Sequence, residues 1–233
     1  MTRERWTDRV MSWLGLDMDF SVSLARDPFN RVADGLYLGA RPTPERAPAL
    51  KESGVTHVVS CLNEEDRDKV AFMGADFSTL FIPLRDGMNE DIAAAFPEFF
   101  EFADGLDAAG GQSVLVHCEA GVSRSATLVT ALLMRRRGRA FFETYLDVRA
   151  RRQEVLPNIG FASQLQRFER ELGLAGDDES PSSLARYLHE VCAVPAELGA
   201  LQQALHQHDD DAPEALCALF GGEIPRVVQG VRL

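Results

Sequence analysis

Cysteine is scarce in this 233-residue chain. Its four copies, Cys61, Cys118, Cys192 and Cys217, are widely spaced and form no Cys-x-x-Cys pair. That pattern argues against a disulfide framework and for free thiols in a reducing compartment, so a cytoplasmic location is expected. Long hydrophobic runs are missing as well: no apolar stretch approaches the eighteen or so residues of a transmembrane helix. There is no excess of positive charge. A net charge of −12 disfavours non-specific binding to nucleic acid or to an anionic membrane. The opening eight residues mix both charge signs, unlike a signal or transit peptide. What is present, 45% hydrophobic and 26% charged residues, suits one ordinary domain with appendages.

Residues 116–125, Val-His-Cys-Glu-Ala-Gly-Val-Ser-Arg-Ser, concentrate the chemistry. Strand formers over 112–116 precede them and a helical pattern over 125–133 follows. The segment therefore reads as a strand, a tight loop and a helix N-terminus, which offers backbone N–H groups and a positive dipole end to an anion. A thiol at the mouth of such a loop has a depressed pKa: free cysteine titrates near ~8.5 and comparable sites at roughly 3.5 to 7.5. Cys118 is then a nucleophile at neutral pH without an adjacent base. Arg124 returns to the loop rim, where its planar fork can bind two oxygens of a tetrahedral anion. Gly121 turns the backbone without a Cβ filling the cradle, which Glu119, Ala120, Val122 and Ser123 complete. Ser125 is placed to donate its hydroxyl to the thiolate and ease its departure. His117 orients the loop and is not the base. Together these residues describe attack of a thiolate on a phosphoryl group.

His117-Cys118-x5-Arg124-Ser125 resembles the HCxxGxxR(S/T) loop of the protein tyrosine phosphatase superfamily, and its full string is most similar to the dual-specificity phosphatases. The resemblance implies two-step hydrolysis of phosphomonoesters through a cysteinyl-phosphate, with no metal and no cofactor. It implies an α/β fold with a central, mostly parallel sheet flanked by helices. Such chemistry also needs a carboxylic acid to protonate the leaving oxygen, worth roughly 10²–10⁴-fold. An apolar strand over 81–84 ends just before Asp86, at the start of a loop that leads to a helix expected over 91–96. In dual-specificity phosphatases the general acid occupies the matching place. The alternative for Asp86 is a turn or capping aspartate, and Glu90 and Asp91 are fallback acids.

The order of elements is similar to that family over residues 29–174. Residues 31–39 read as a hairpin turning at Asp34-Gly35. Residues 44–53 read as a helix ended by Gly54, and 55–61 and 79–84 as strands. The helix after the loop runs to Arg135-Arg136-Arg137 and stops at Gly138, and another covers 141–152. Residues 157–161 resemble the family's Pro-Asn-x-Gly-Phe turn, in which the asparagine, here Asn158, helps hold the catalytic loop; a final helix over 162–172 follows.

Residues 1–28 are an N-terminal extension whose Trp6, Val10, Trp13 and Leu14 share one helix face. Residues 175–183 are polar and rich in breakers, a linker. Residues 184–233 form a small all-helical extension with stripes at Leu184, Tyr187, Leu188 and Val191 and at Leu198, Leu201 and Leu205, and a helix opening at Pro213. It is too short to be stable alone and is expected to dock on the phosphatase or on a protein partner. His206, His208 and residues 209–211 raise a metal site, but no second ligand cluster supports one, and a solvated helix end is the reading taken.

The variable loop positions Glu119, Ala120, Val122 and Ser123 offer no cation, and Glu119 would repel a polyanion if it faced the pocket. Relatives acting on phosphoinositides often carry lysine or arginine there. The expected substrate is therefore a phosphomonoester on a protein side chain, with a lipid or glucan phosphatase disfavoured. The absence of long inserts points to a shallow cleft and dual specificity. A phosphoprotein-binding scaffold with weak turnover is the alternative. Cys61 ends the strand that, in this fold, lies beside the catalytic loop. In some relatives a cysteine there forms a disulfide with the nucleophile, which makes Cys61 a candidate redox partner. Its alternative is a buried structural thiol.

Overall fold

Chain folding begins with the expected hairpin in the computed structural model, which describes residues 28–176, 180–222 and 224. Strands β1 (Phe29–Ala33) and β2 (Leu36–Gly39) run antiparallel, with Gly35 at φ +65° making the turn after Asp34. The aliphatic and β-branched runs become β3 (His57–Leu62), β4 (Ser78–Pro83) and β5 (Val114–His117). The sheet order is β1-β2-β5-β3-β4, and every pairing except β1–β2 is parallel. Strand β5 is central, so the loop that follows it leaves the carboxyl end of the sheet between two neighbours.

Alternation along the strands divides the core between two faces. Val59, Cys61, Val114 and Val116 belong to one layer, Val58, Leu62 and Leu115 to the other. The second layer is covered by α1 (Ala47–Glu52), entered through a 3₁₀ turn at Pro44–Arg46, and by a run of 3₁₀ turns over Glu64–Ala75, which supply Leu50, Val70 and Met73. The first is covered by α2 (Phe96–Ala109), α3 (Arg124–Arg137), α4 (Phe141–Arg149) and α5 (Ile159–Glu171). Helix α3 is buried from Arg124 to Met134 and ends at Gly138 in the left-handed conformation. Its arginine trio is spent on neighbours: Arg135 and Arg136 meet Asp104, and Arg137 meets Asp147.

Several expected boundaries move, each for a local reason. The helix expected over 91–96 begins at Phe96, preceded by a 3₁₀ turn at Ala93–Ala95 that Asp91 caps through the Ala94 N–H at 3.2 Å. The helix expected to reach residue 152 ends at Arg149, and Arg152 turns inward instead. Helix α5 starts at Ile159 rather than 162, because the Asn158 side chain caps it by accepting from the Phe161 N–H at 2.9 Å.

Beyond residue 180 come α6 (Ser183–Arg186), continued by a π-helical turn at Tyr187–Val191, then α7 (Leu198–Gln207) and α8 (Ala212–Leu219). Leu184, Tyr187, Leu188, Leu201, Leu205 and Leu216 join the same core as Phe141, Phe161 and Leu165. Each such burial is worth about 1.5–3 kcal/mol, so these short helices are held by the core they share. Polar ties add register: Gln166 accepts from the Leu184 N–H at 2.8 Å, and Ser163 from the Ala212 N–H at 2.9 Å. The acidic run at 209–211 turns to Arg167 and Arg170 on α5, and His208 lies 3.8 Å from Glu214. Among the described residues no group of three metal-ligating side chains converges, and no helix is long and apolar enough to cross a membrane. The stripe of Trp6, Val10, Trp13 and Leu14 and residues 177–179 of the expected linker lie outside the described residues.

Candidate active site

Strand β5 ends at His117 and delivers the loop directly onto the N-terminus of α3. Gly121 sits at φ +70°, and a Cβ there would stand 2.3 Å from the Gly39 carbonyl carbon and oxygen and 2.7 Å from the Ala40 nitrogen. Backbone of β2 and backbone of the loop thus touch, and only glycine fits between them. Cys118 is buried, and its Sγ accepts from the Gly121 N–H at 3.2 Å and from the Ser125 hydroxyl at 3.3 Å. Burial is the largest single influence on this thiol and pushes its pKa up. The Arg124 guanidinium and the Ser125 hydroxyl and N–H outweigh it and hold the pKa below the ordinary cysteine value.

His117 is fully buried. Its Nδ1 lies 3.1 Å from the Cys118 carbonyl, which can only accept, so Nδ1 carries the proton and Nε2 accepts from the Ser60 hydroxyl at 2.8 Å. Burial lowers its pKa to about 4, so the ring is neutral near pH 7. The ring thereby links Ser60 of β3 to the start of the loop.

Arg124 opens α3 with its side chain folded inward. Nη1 donates to the Leu84 carbonyl at 3.1 Å, while Nε is buried without a hydrogen-bond partner, 3.7 Å from Asp86 Oδ2. Ser123 occupies the N-cap position of α3 but does not cap it. Its hydroxyl donates instead to Asp86 Oδ1 at 2.7 Å and accepts from the Asn158 N–H at 3.2 Å. Asn158 Nδ2 also donates to Asp86 Oδ1, at 3.0 Å. Two hydrogen-bonded groups thus meet at the loop, Cys118 with Ser125 and Asp86 with Ser123 and Asn158, and Arg124 stands beside Asp86 as an ion pair. An orphaned guanidinium N–H and an uncapped helix N-terminus are both costly without a ligand, by about 1–3 kcal/mol per unmade bond, and a tetrahedral anion satisfies both.

Other expected members fall elsewhere. Asp91 is spent as a cap. Glu90 and Asp91 line a separate groove of 1110 Å³ between α2, α5 and α8, whose other carboxylates include Glu101 and Glu171 and whose lining includes no residue of the phosphate loop. Glu119 is clamped by Arg41 through two bonds of 2.9 and 3.2 Å, so a cation from outside the loop balances this carboxylate at the rim. Cys61 lies fully buried on β3 with a free thiol; burial first, then the neighbouring Cys118, push its pKa well up, so it stays protonated.

Four supporting residues escaped the sequence reading. Arg152 is 1% exposed and grips the loop from below, donating through Nε to the Gly121 carbonyl at 2.9 Å and through Nη2 to the Ala120 carbonyl at 3.1 Å. Ser60 fixes His117. Gln164 pins the loop carrying Asp86, donating to the Glu90 carbonyl at 2.8 Å and accepting from the Ala93 N–H at 2.9 Å. Arg41 neutralises Glu119. None of the four belongs to a local pattern. Gly160 carried a signal within the Pro-Asn-x-Gly-Phe string: a Cβ there would stand 1.9 Å from the Met88 carbonyl oxygen.

Known proteins are similar to this chain. Residues 36–171 match the family model described as dual specificity phosphatase, catalytic domain. The chain is 37% identical over 191 residues to dual specificity protein phosphatase 22-A of Danio rerio, covering 82% of this chain and 80% of that protein. It is 36% identical over 146 residues to dual specificity protein phosphatase 1B of Arabidopsis thaliana, covering 61% of this chain and 83% of that protein. The crystal structure of human tyrosine phosphatase-like serine/threonine/tyrosine-interacting protein is similar with a TM-score of 0.58 at 32% identity, over 61% of this chain and 96% of that one.

Proposed function

The chain belongs to the dual-specificity phosphatase family and is a protein phosphatase, and we propose that it hydrolyses phosphotyrosine and phosphoserine or phosphothreonine monoesters through a cysteinyl-phosphate on Cys118. The observation that carries this reading is the buried Nε of Arg124, without a hydrogen bond, beside an uncapped helix N-terminus and a thiol held below its ordinary pKa.

In the first step the Cys118 thiolate attacks phosphorus, an S–P bond forms and the ester P–O bond breaks. Asp86 gives its proton to the departing oxygen, while Arg124 and the amides of residues 119–124 hold the equatorial oxygens. In the second, Asp86 takes a proton from water, water oxygen bonds to phosphorus and the S–P bond breaks. The departing thiolate returns to the Gly121 N–H and the Ser125 hydroxyl, which stabilise it. Ser123 and Asn158 hold the carboxyl of Asp86 for both transfers.

A phosphorylated protein fits better than a polyphosphorylated lipid or a glucan, because the Arg41–Glu119 pair adds no net positive charge to the rim. Four free thiols support work in a reducing compartment, the cytoplasm. The C-terminal helices turn their apolar residues into the core, which supports an internal role for them over a partner surface. Binding without turnover is the second reading, favoured by the likeness to a human protein named as phosphatase-like and interacting. Hydrolysis of phosphopeptide and phosphoinositide panels by the wild type and by Cys118→Ser tests both. Turnover of phosphopeptides lost in the variant supports catalysis; binding with no turnover in either protein supports the scaffold.

A further inference from the structure

Residues 155–158 link the two halves of the site. The Leu156 N–H donates to the Val122 carbonyl at 2.9 Å, which ties the segment to the phosphate loop. Asn158 ties it to Ser123 and Asp86. The peptide bond between Pro157 and Asn158 is the common element. A trans peptide is planar, with its C=O and N–H directed to opposite sides. Its N–H reaches Ser123 Oγ. Its C=O, the Pro157 carbonyl, accepts from the Tyr187 hydroxyl at 2.6 Å. One rigid unit is therefore gripped from both sides, and the chain of bonds runs from Tyr187 through the peptide to Ser123 and on to Asp86 Oδ1. Each link polarises the next.

Tyr187 comes from the turn after α6, outside residues 36–171 that match the family model. Its side chain is completely buried. The ring lies 5.5 Å from that of Phe141 and stands perpendicular to that of Tyr145 at 5.0 Å, so packing fixes the aim of the hydroxyl. Tyr145 reinforces the same segment, its hydroxyl donating to the Val155 carbonyl at 3.2 Å. Pro157 has a fixed φ and no N–H, so the tilt of the peptide that follows is set by the contacts of its carbonyl with Tyr187 and of its N–H with Ser123.

We infer that Tyr187 is a positioning residue for Asp86, and that the C-terminal helices brace the catalytic acid through the Pro157–Asn158 peptide. This rests on Asp86 being the general acid. An acid set slightly off its line loses most where the leaving group needs protonation and little where it departs unaided.

The test is turnover by the full chain of aryl phosphates graded in leaving-group pKa, for wild type, Tyr187→Phe, Asp86→Ala and the double variant. Tyr187→Phe is expected to lose about tenfold in kcat on phenyl phosphate and under about twofold on an activated nitrophenyl ester, the same signature as Asp86→Ala but weaker. The double variant is expected to be no slower than Asp86→Ala alone. Tyr145→Phe, which loosens the same segment at Val155, is expected to show the same signature and keeps the test readable if Tyr187→Phe does not fold. Ser163→Ala loosens the C-terminal helices at Ala212 and is expected to lower the melting temperature with no change in leaving-group dependence. If Tyr187→Phe slows all esters equally, or Ser163→Ala reproduces its signature, the brace is general packing and the inference falls. If Asp86→Ala lacks leaving-group dependence, the acid assignment itself is wrong.

Discussion

The phosphate loop and the acid loop lie against each other but are held by opposite means. The phosphate loop carries most of its instructions within ten residues, His117, Cys118, Gly121, Arg124 and Ser125 among them, and Arg152 closes it from outside. Asp86 is tied instead to Asn158, 72 positions downstream, and its loop to Gln164, with Glu90 and Gln164 separated by 74 positions. The loop that must present a fixed anion cradle is locally encoded. The loop proposed to deliver and recover a proton is set by the packing of α5, and a fault in that packing falls first on it. Faults in the phosphate loop should slow every substrate and weaken oxyanion binding; faults in the acid loop should spare oxyanion binding and depend on the leaving group.

The largest expected effect is at the nucleophile. Cys118→Ser should lower kcat by about 10⁴-fold or more on every ester, since a serine hydroxyl here has no base to ionise it. Retained turnover would overturn the mechanism. Asp86→Ala comes next, with about 10²–10³-fold loss on phenyl phosphate, shrinking as the leaving group is activated, and with vanadate affinity held.

Arg152→Met sharpens the contrast from the phosphate-loop side. It leaves the Ala120 and Gly121 carbonyls unpaired in the interior, at about 1–3 kcal/mol each, and lets the cradle relax. Turnover should fall about 10²-fold on all esters alike, with weaker vanadate binding in a titration. Arg152→Lys should recover little, because a single ammonium cannot span two carbonyls and Asn30 as the fork does. A loss confined to poor leaving groups would erase the distinction between the loops. Gly160→Ala tests the other side. Its Cβ would overlap the Met88 carbonyl and displace the acid loop, so about tenfold loss on phenyl phosphate is expected, with activated esters and vanadate binding near wild type.

The same contrast explains what could be read from the sequence. The strand, loop and helix around Cys118 were legible because spacing and burial there are local, and Asp86 was legible as the residue where an apolar strand gives out. The hairpin at Asp34-Gly35 and the stop at Gly138 follow from glycine alone. The polar roles of Arg152, Ser60, Gln164 and the Tyr187 hydroxyl left no trace, because a buried polar group is explained by a partner far away in the chain, not by its neighbours. Arg152 even read as part of a helix, since an arginine after a helical stretch ordinarily faces water. The C-terminal stripes were visible as amphipathic, yet what they cover is settled only by the positions of Phe141, Phe161 and Leu165.

The last expected effect falls on stability and not on turnover, and concerns His117. Burial holds its pKa at about 4 in the folded protein against 6.5 for the ordinary ring, so between those values the unfolded chain binds a proton that the folded one refuses. Stability from this residue is therefore complete above about pH 6.5, falls as the pH drops toward about 4 and is level below it, a change of about 3 kcal/mol across the window. Urea unfolding of the wild type and of His117→Asn at steps from pH 7 to pH 4 measures it as the difference in slope, since carboxylates titrating in the same range are common to both proteins. Equal slopes would mean that the ring is protonated in the folded state. In that case it could not accept from the Ser60 hydroxyl while donating to the Cys118 carbonyl, and the orientation of the loop would need another cause.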